Sequence, residues 1–318
     1  MRGKYSFWTK VLSLLLAGLT ITSYFVPDVG KGEVWIPLLD GFCNLSFLNG
    51  SILLKGILGA LFNILIATSL LAINTKSVNN VFNPGLSVIF FLLVVLLNPS
   101  AAYFSALHPA ALLFVWGQYA FITRQKFLSM FLLSSAALFY SPLVLALPLI
   151  MIISIFGAAD IPRVAVKSLG GILLPFVYVL AFRWMAFDDV SVFANEYMMR
   201  AMEFSTPLNS VRISSLFLVA CMVWVSLHSI SHMFARLYNN SIITEHILKM
   251  EFMCIVVGGA IFTLFWGNGN APVNMVVALP IALLFSHYFT SNINTAAARI
   301  ELILLCCAAC ISRLSCFI

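Results

Sequence analysis

The sequence predicts an all-α integral membrane protein, a single polytopic bundle of about 11 spanning helices. Three observations carry this. Of 318 residues, 62% are hydrophobic and 9% charged, with a mean hydropathy of +1.05. Soluble domains carry roughly 25% charged residues, so this chain cannot cover a water-facing surface. Apolar runs near the roughly 20 residues of a spanning helix recur along its whole length. The alternation over segments of roughly 10 residues that marks a membrane barrel is absent, which leaves helices that satisfy their own backbone in lipid.

In chain order, spans are expected near 10–27, 51–73, 83–98, 103–122, 127–140, 142–157, 168–186, 212–235, 250–267, 271–289 and 299–315. The opening MRGKYSFWTKVLSLLLAGLTITSYF is basic and then apolar, like a signal peptide. No cleavage site of the A-x-A type follows, so it is expected as an uncleaved first span. The run FLSMFLLSSAALFYSPLVLALPLIMIISIF, 127–156, has two readings. As one span it is overlong, and everything after it changes sides. As two it is a short hairpin. Pro142 disfavours helix at Ser141 and interrupts the ladder, so the hairpin is preferred, reversing at Tyr140–Pro142 on the outer side.

Lysine and arginine set the orientation. With a cytoplasmic N-terminus, inner segments hold Arg2, Lys4, Lys10, Lys76, Arg124, Lys126, Arg163, Lys167, Arg236, Lys249 and Arg299. Outer segments hold fewer: Lys31, Lys55, Arg183, Arg200, Arg212 and Arg313. The C-terminus then falls outside. Two outer segments stand out, 28–50 after the first span and 187–211 after the seventh. Within the second, FDDVSVFANEYMMRAMEFSTP reads as a helix capped by Asp188 or Asp189. Val190, Phe193, Ala194, Tyr197, Ala201 and Phe204 share one face. Asn195, Glu196, Arg200 and Glu203 fall mainly on the other, with Glu196 and Arg200 at pairing distance. Such a helix is expected to lie in the membrane interface, apolar side down.

Several function classes drop out. The net charge of +6 comes from scattered residues that topology explains, so no nucleic-acid partner is implied. The cysteines at 43, 221, 254, 306, 307, 310 and 316 form no paired zinc motif and read as small helix-packing residues. His228 and His232 share a helical face with no further metal ligand nearby in sequence. Glu251 and Glu301 sit just inside span ends near Lys249 and Arg299, where snorkelling accounts for them. There is no phosphate loop, dinucleotide fingerprint, zinc-protease motif or serine elbow.

In FLLVVLLNPSAAYFSALHPAALLFVWGQYAFITRQK, 91–126, a span ends at Pro99–Ser100, a short aromatic segment follows, and a second span ends in basic residues. Then come the aromatic-Ser-Pro break, the Gly170–Gly171 pair and LLPFVYVL at 173–180. This succession, over roughly residues 1–210, resembles the GT-C superfamily of polyprenol-dependent membrane glycosyltransferases. It also resembles a multi-pass inner-membrane family of Bacteroidota. The GT-C resemblance implies a module over 1–210, followed by C-terminal helices over 211–318, in a bacterial inner membrane. It implies transfer of a sugar from a polyprenyl-phosphate donor at the extracytoplasmic face, with the outer loops closing over the headgroup. The chain departs from the family in having no adjacent acidic pair in its first outer loop, which offers Asp28, Glu33 and Asp40. At the position where the family often has an acid, it has His108.

Such a transfer needs a base for the acceptor hydroxyl and cations for the departing phosphate. The resemblance makes Asp28, Asp40 and His108 the catalytic candidates. Arg183, Arg200 and Arg212 are candidates for the donor phosphate, since guanidinium forks suit phosphate oxygens. Asp188, Asp189, Asn268 and Asn270 are candidate substrate-loop residues, and a divalent cation is a candidate cofactor. Each has a plainer reading. Arg183 and Arg212 flank spans and snorkel, the aspartates sit in solvated loops, His108 caps a helix, and WGNGNAPVN (266–274) is a tight polar turn. Two other functions stay open: a non-catalytic subunit or scaffold of an envelope complex, and a transporter or flippase.

Overall fold

The structure is a computed structural model that describes residues 2–26, 36, 48, 50–76, 84–155, 160–203, 213–237, 255–256, 258–260, 274–292 and 295–317. Helices make up nearly all of it, and there is no strand among the described residues. In chain order these are α1 (Arg2–Ser23), α2 (Ile52–Lys76), α3 (Pro84–Leu96), α4 (Leu107–Ile122), α5 (Lys126–Phe139), α6 (Leu147–Ile155), α7 (Ile161–Phe187), α8 (Val190–Ala201), α9 (Ile213–Leu237), α10 (Asn274–Asn292) and α11 (Ala296–Leu314). Two 3₁₀ turns, Pro99–Ala102 and Ser141–Ala146, separate α3 from α4 and α5 from α6. Among the described residues, three helices are long and apolar enough to cross a membrane: Ile52–Ala72 within α2, α7 and α10. The other apolar helices, such as Gly85–Leu96 and Lys126–Phe139, are shorter.

Helix ends follow local chemistry. Asn98 accepts from the Ser100 amide at 3.0 Å, and Pro99 opens the first 3₁₀ turn with its fixed φ. Asp160 caps α7 through the Arg163 amide, with Pro162 in the first turn. Pro175 inside α7 leaves a carbonyl one turn back without its amide. Beside that gap the Ser134 hydroxyl donates to the Ile172 carbonyl at 2.7 Å, a cross-helix bond of the kind that steadies a broken ladder.

The segment 127–155 is a hairpin. A Cβ on Gly171 would lie 2.6 Å from the Phe127 carbonyl, so α5 starts beside the first half of α7. Leu138, at the end of α5, packs with Val179 in the second half. The return helix brings the Ser154 hydroxyl within 2.9 Å of that of Ser168, again in the first half of α7. Both ends of the segment therefore meet the same end of α7, and the Tyr140–Ala146 turn is the reversal, as Pro142 led us to expect.

The core is centred on α3 and α10. Phe90 stacks on Phe289 at 5.3 Å and meets Phe285 edge-on at 5.7 Å. The side-chain amide of Asn274, at the start of α10, donates to the carbonyls of Val94 and Val95 at 2.5 and 2.8 Å, serving the last turn of α3. Arg313 near the end of α11 is buried and donates to Ser23 of α1 at 3.0 Å and to the Leu96 carbonyl of α3. The C-termini of α1 and α3 thus share one guanidinium, which suits the sign of their dipoles. On α11, Cys306 packs against the core, whereas Cys307 and Cys310 turn outward. Only the first of these three is the packing residue that the sequence suggested for all.

Candidate functional site

Three places bring polar side chains together. The first is the elbow between α7 and α8. Asp188 ends α7 in the left-handed region, φ 52°, and returns its amide to the Arg183 carbonyl at 3.0 Å. Asp189 stands at the cap position of α8, but its side chain makes no cap bond. It accepts instead from Nη1 of Arg183 at 2.7 Å. The guanidinium is buried, 4.6 Å from the Phe193 ring centroid and 5.4 Å from that of Phe187. One turn further on, the Tyr197 hydroxyl donates to the Ala137 carbonyl at 2.8 Å, and burial pushes its phenol up.

These contacts lay α8 against the Tyr140–Ala146 turn. Phe193 and Tyr197 pack on Leu138 and Val179, with Val144 and Phe176 alongside. The apolar face expected to rest on lipid is thus spent on the protein's own bundle end. Asn195 and Arg200 point outward, and Arg200 pairs with Glu196 at 3.0 Å, as their spacing expects. Of the proposed phosphate ligands, Arg183 and Arg200 are therefore each bound to a carboxylate. Asp188 is exposed, and Asp189 is held by Arg183.

The second place is the turn around His108. Its ring is fully buried between Phe62 and Phe104. Nδ1 accepts from the Ser105 amide at 3.1 Å, and Nε2 faces the Ala101 carbonyl at 3.2 Å, which fixes the tautomer with its proton on Nε2. Asn63 of α2 donates to the same carbonyl at 2.9 Å. Next to this turn α1, α2 and α3 enclose a groove of about 400 Å³, walled by Leu16, Tyr24, Ala67, Val88 and Leu92 among others. Its lining is apolar except for Asn63 and a few hydroxyls. Asn63 is buried, and its Oδ1 accepts no hydrogen bond among the described residues.

The third place was not foreseen. Glu301 of α11 is buried rather than snorkelling, and both its oxygens are taken. Oε1 meets Nδ1 of His228 on α9, and Oε2 accepts from the Tyr288 hydroxyl of α10 at 2.7 Å. His232 lies 5.7 Å from the Tyr288 ring and 6.1 Å from that of His287. The one sequence signal was an acid inside an apolar run. Its partners lie 73 and 13 residues away.

Asp28, Asp40, Arg212, Asn268 and Asn270 lie outside the described residues. Among the described residues, no group of three or more histidine, cysteine or acidic side chains is placed to hold a metal ion. No family model, curated protein or solved structure matches the chain.

Proposed function

We propose that the chain is a polytopic protein of a bacterial inner membrane, with about 11 spans, a cytoplasmic N-terminus and an extracytoplasmic C-terminus. We further propose that it works as a GT-C-like glycosyltransferase, moving a sugar from a polyprenyl-phosphate donor at the outer face. The membrane reading is supported by large apolar side chains on the outside of the bundle. Leu53, Ile57 and Ile64 of α2, and Val166, Val177 and Tyr178 of α7, are all more than half exposed, a surface suited to lipid rather than water.

The observation that carries the enzymatic reading is the groove between α1, α2 and α3. Its volume, about 400 Å³, is in the range of a ligand site, and its lining suits a hydrocarbon tail. In the sequence, the segment between α1 and α2 holds Asp28 and Asp40. A tail in the groove would bring a donor headgroup towards that segment, where either aspartate can take the acceptor proton. Arg212, with Asn268 and Asn270, is the remaining candidate for headgroup contacts, since Arg183 and Arg200 already hold carboxylates. His108 serves the fold: both its ring nitrogens are engaged.

The test is a transfer assay with a photoreactive polyprenyl-phosphate sugar in membranes containing the protein. The expected result is crosslinking at the groove and transfer that is lost in the Asp28→Asn, Asp40→Asn double variant. Full transfer by that variant removes the two aspartates from the mechanism. Sidedness is checked separately, with single cysteines at Ser191 and Ser77 and an impermeant maleimide. Labelling of the first but not the second in intact cells supports the outward orientation.

A further inference from the structure

We propose that His228, Glu301 and Tyr288 form a proton-exchange site within the C-terminal helices, separate from the groove and independent of sugar transfer. The geometry points to it in three ways. Glu301 is a carboxylate with only 6% of its side chain exposed, and it has no lysine or arginine partner among the described residues. Leaving a full charge in so dry a place is costly unless hydrogen bonds or a shared proton compensate it. Here one oxygen meets an imidazole and the other a phenol, both of which can carry protons. Finally, the imidazole is the exposed end of the chain of groups. The His228 side chain is 46% exposed, with Trp224 beside its ring at 4.9 Å.

The result is a line of proton-carrying groups from the outside of the bundle inward, His228, Glu301 and Tyr288, with the His232 ring 5.7 Å from that of Tyr288. It crosses α9, α10 and α11. An uptake step balances simply. His228 accepts a proton at Nε2 from a hydronium ion, which becomes water, and passes the proton on Nδ1 to Oε1 of Glu301. The imidazole ends neutral and the carboxylate becomes a carboxylic acid. Release reverses both moves. No bond to carbon changes and no co-reactant is needed.

Among the described side chains, the ionisable groups around the site limit what else could supply the proton. On α9 these are His228 and His232, and on α10 His287 and Tyr288. On α11, Arg299 stands two residues before Glu301 and therefore points to another side of the helix. Lys10 of α1 is exposed, and α3, which packs on α10, carries no ionisable side chain. An imidazole is the side chain suited to exchange between about pH 5 and 8. His228 is the one that joins the buried acid to the surroundings.

The test is infrared difference spectroscopy on the whole protein in lipid nanodiscs, stepped between about pH 8 and pH 5. A carboxylic-acid C=O band should appear with acidification, move on exchange into D₂O, and vanish in Glu301→Gln. In Tyr288→Phe, which removes one hydrogen bond to the carboxyl, the band should shift in frequency. In His228→Gln it should appear more slowly, by about tenfold or more. Identical difference spectra for wild type and Glu301→Gln overturn the proposal. If Glu301→Gln does not fold, an unshifted band in Tyr288→Phe overturns it.

Discussion

Arg183 and Asp189 meet at 2.7 Å across the turn from α7 to α8, with the arginine side chain only 4% exposed. Removing Asp189 takes a carboxylate away from a buried guanidinium. Asp189→Ala should therefore lower stability by on the order of 3 kcal/mol. Arg200→Ala, at an exposed pair, should change it by less than about 1 kcal/mol. Thermal unfolding of both variants in the same detergent checks the contrast.

Tyr197→Phe removes the bond to the Ala137 carbonyl and nothing else. The carbonyl is left buried and unserved, at a cost of about 1–2 kcal/mol. The loss should be local: hydrogen exchange in α8 should quicken while that in α3 and α10 stays as it was.

The adjacent glycines 170 and 171 should respond in opposite ways to alanine. A Cβ on Gly171 would meet the Phe127 carbonyl at 2.6 Å and Met130 Cβ at 2.8 Å, so α5 and α7 must separate. Gly171→Ala should cost about 1–3 kcal/mol. At Gly170 the nearest atom is 3.6 Å away, an ordinary contact, and alanine favours helix there. Gly170→Ala should leave the melting temperature unchanged or raised.

Ala67 is buried on the groove wall. Ala67→Trp should fill the space and abolish crosslinking of a photoreactive polyprenyl phosphate while the protein still folds. Retained crosslinking at the groove would mean that the tail lies elsewhere.

Local features were legible in the sequence. Pro142 announced the reversal of the 127–155 hairpin because proline acts on its own backbone and that of its neighbour. The buried face of α8 followed from the spacing of Phe193, Tyr197 and Ala201, and the Glu196–Arg200 pair from an i,i+4 interval. What that face packs against was not legible. An amphipathic pattern reports that a face is apolar, and lipid and protein satisfy it equally. The roles of Asp189 and Glu301 were hidden for a related reason. Asp189 could cap α8 or pair with Arg183, and only the packing decides. Glu301 finds His228 across 73 residues, a separation no local pattern encodes.

The clasp formed by Asn274 and Arg313 carries a consequence for biosynthesis. Asn274 serves carbonyls 179 and 180 residues earlier in the chain, and Arg313 reaches back 290 residues to Ser23. While the ribosome is still making the middle of the protein, α1 and α3 are in place without the partners that cover Phe90 and the last turn of α3. That seam stays open until α10 fills it. Along its apolar stretch α10 is 83% buried, so it enters a slot between the other helices. A chain halted before α10 would present an open seam to proteases, which gives quality control a physical mark to recognise.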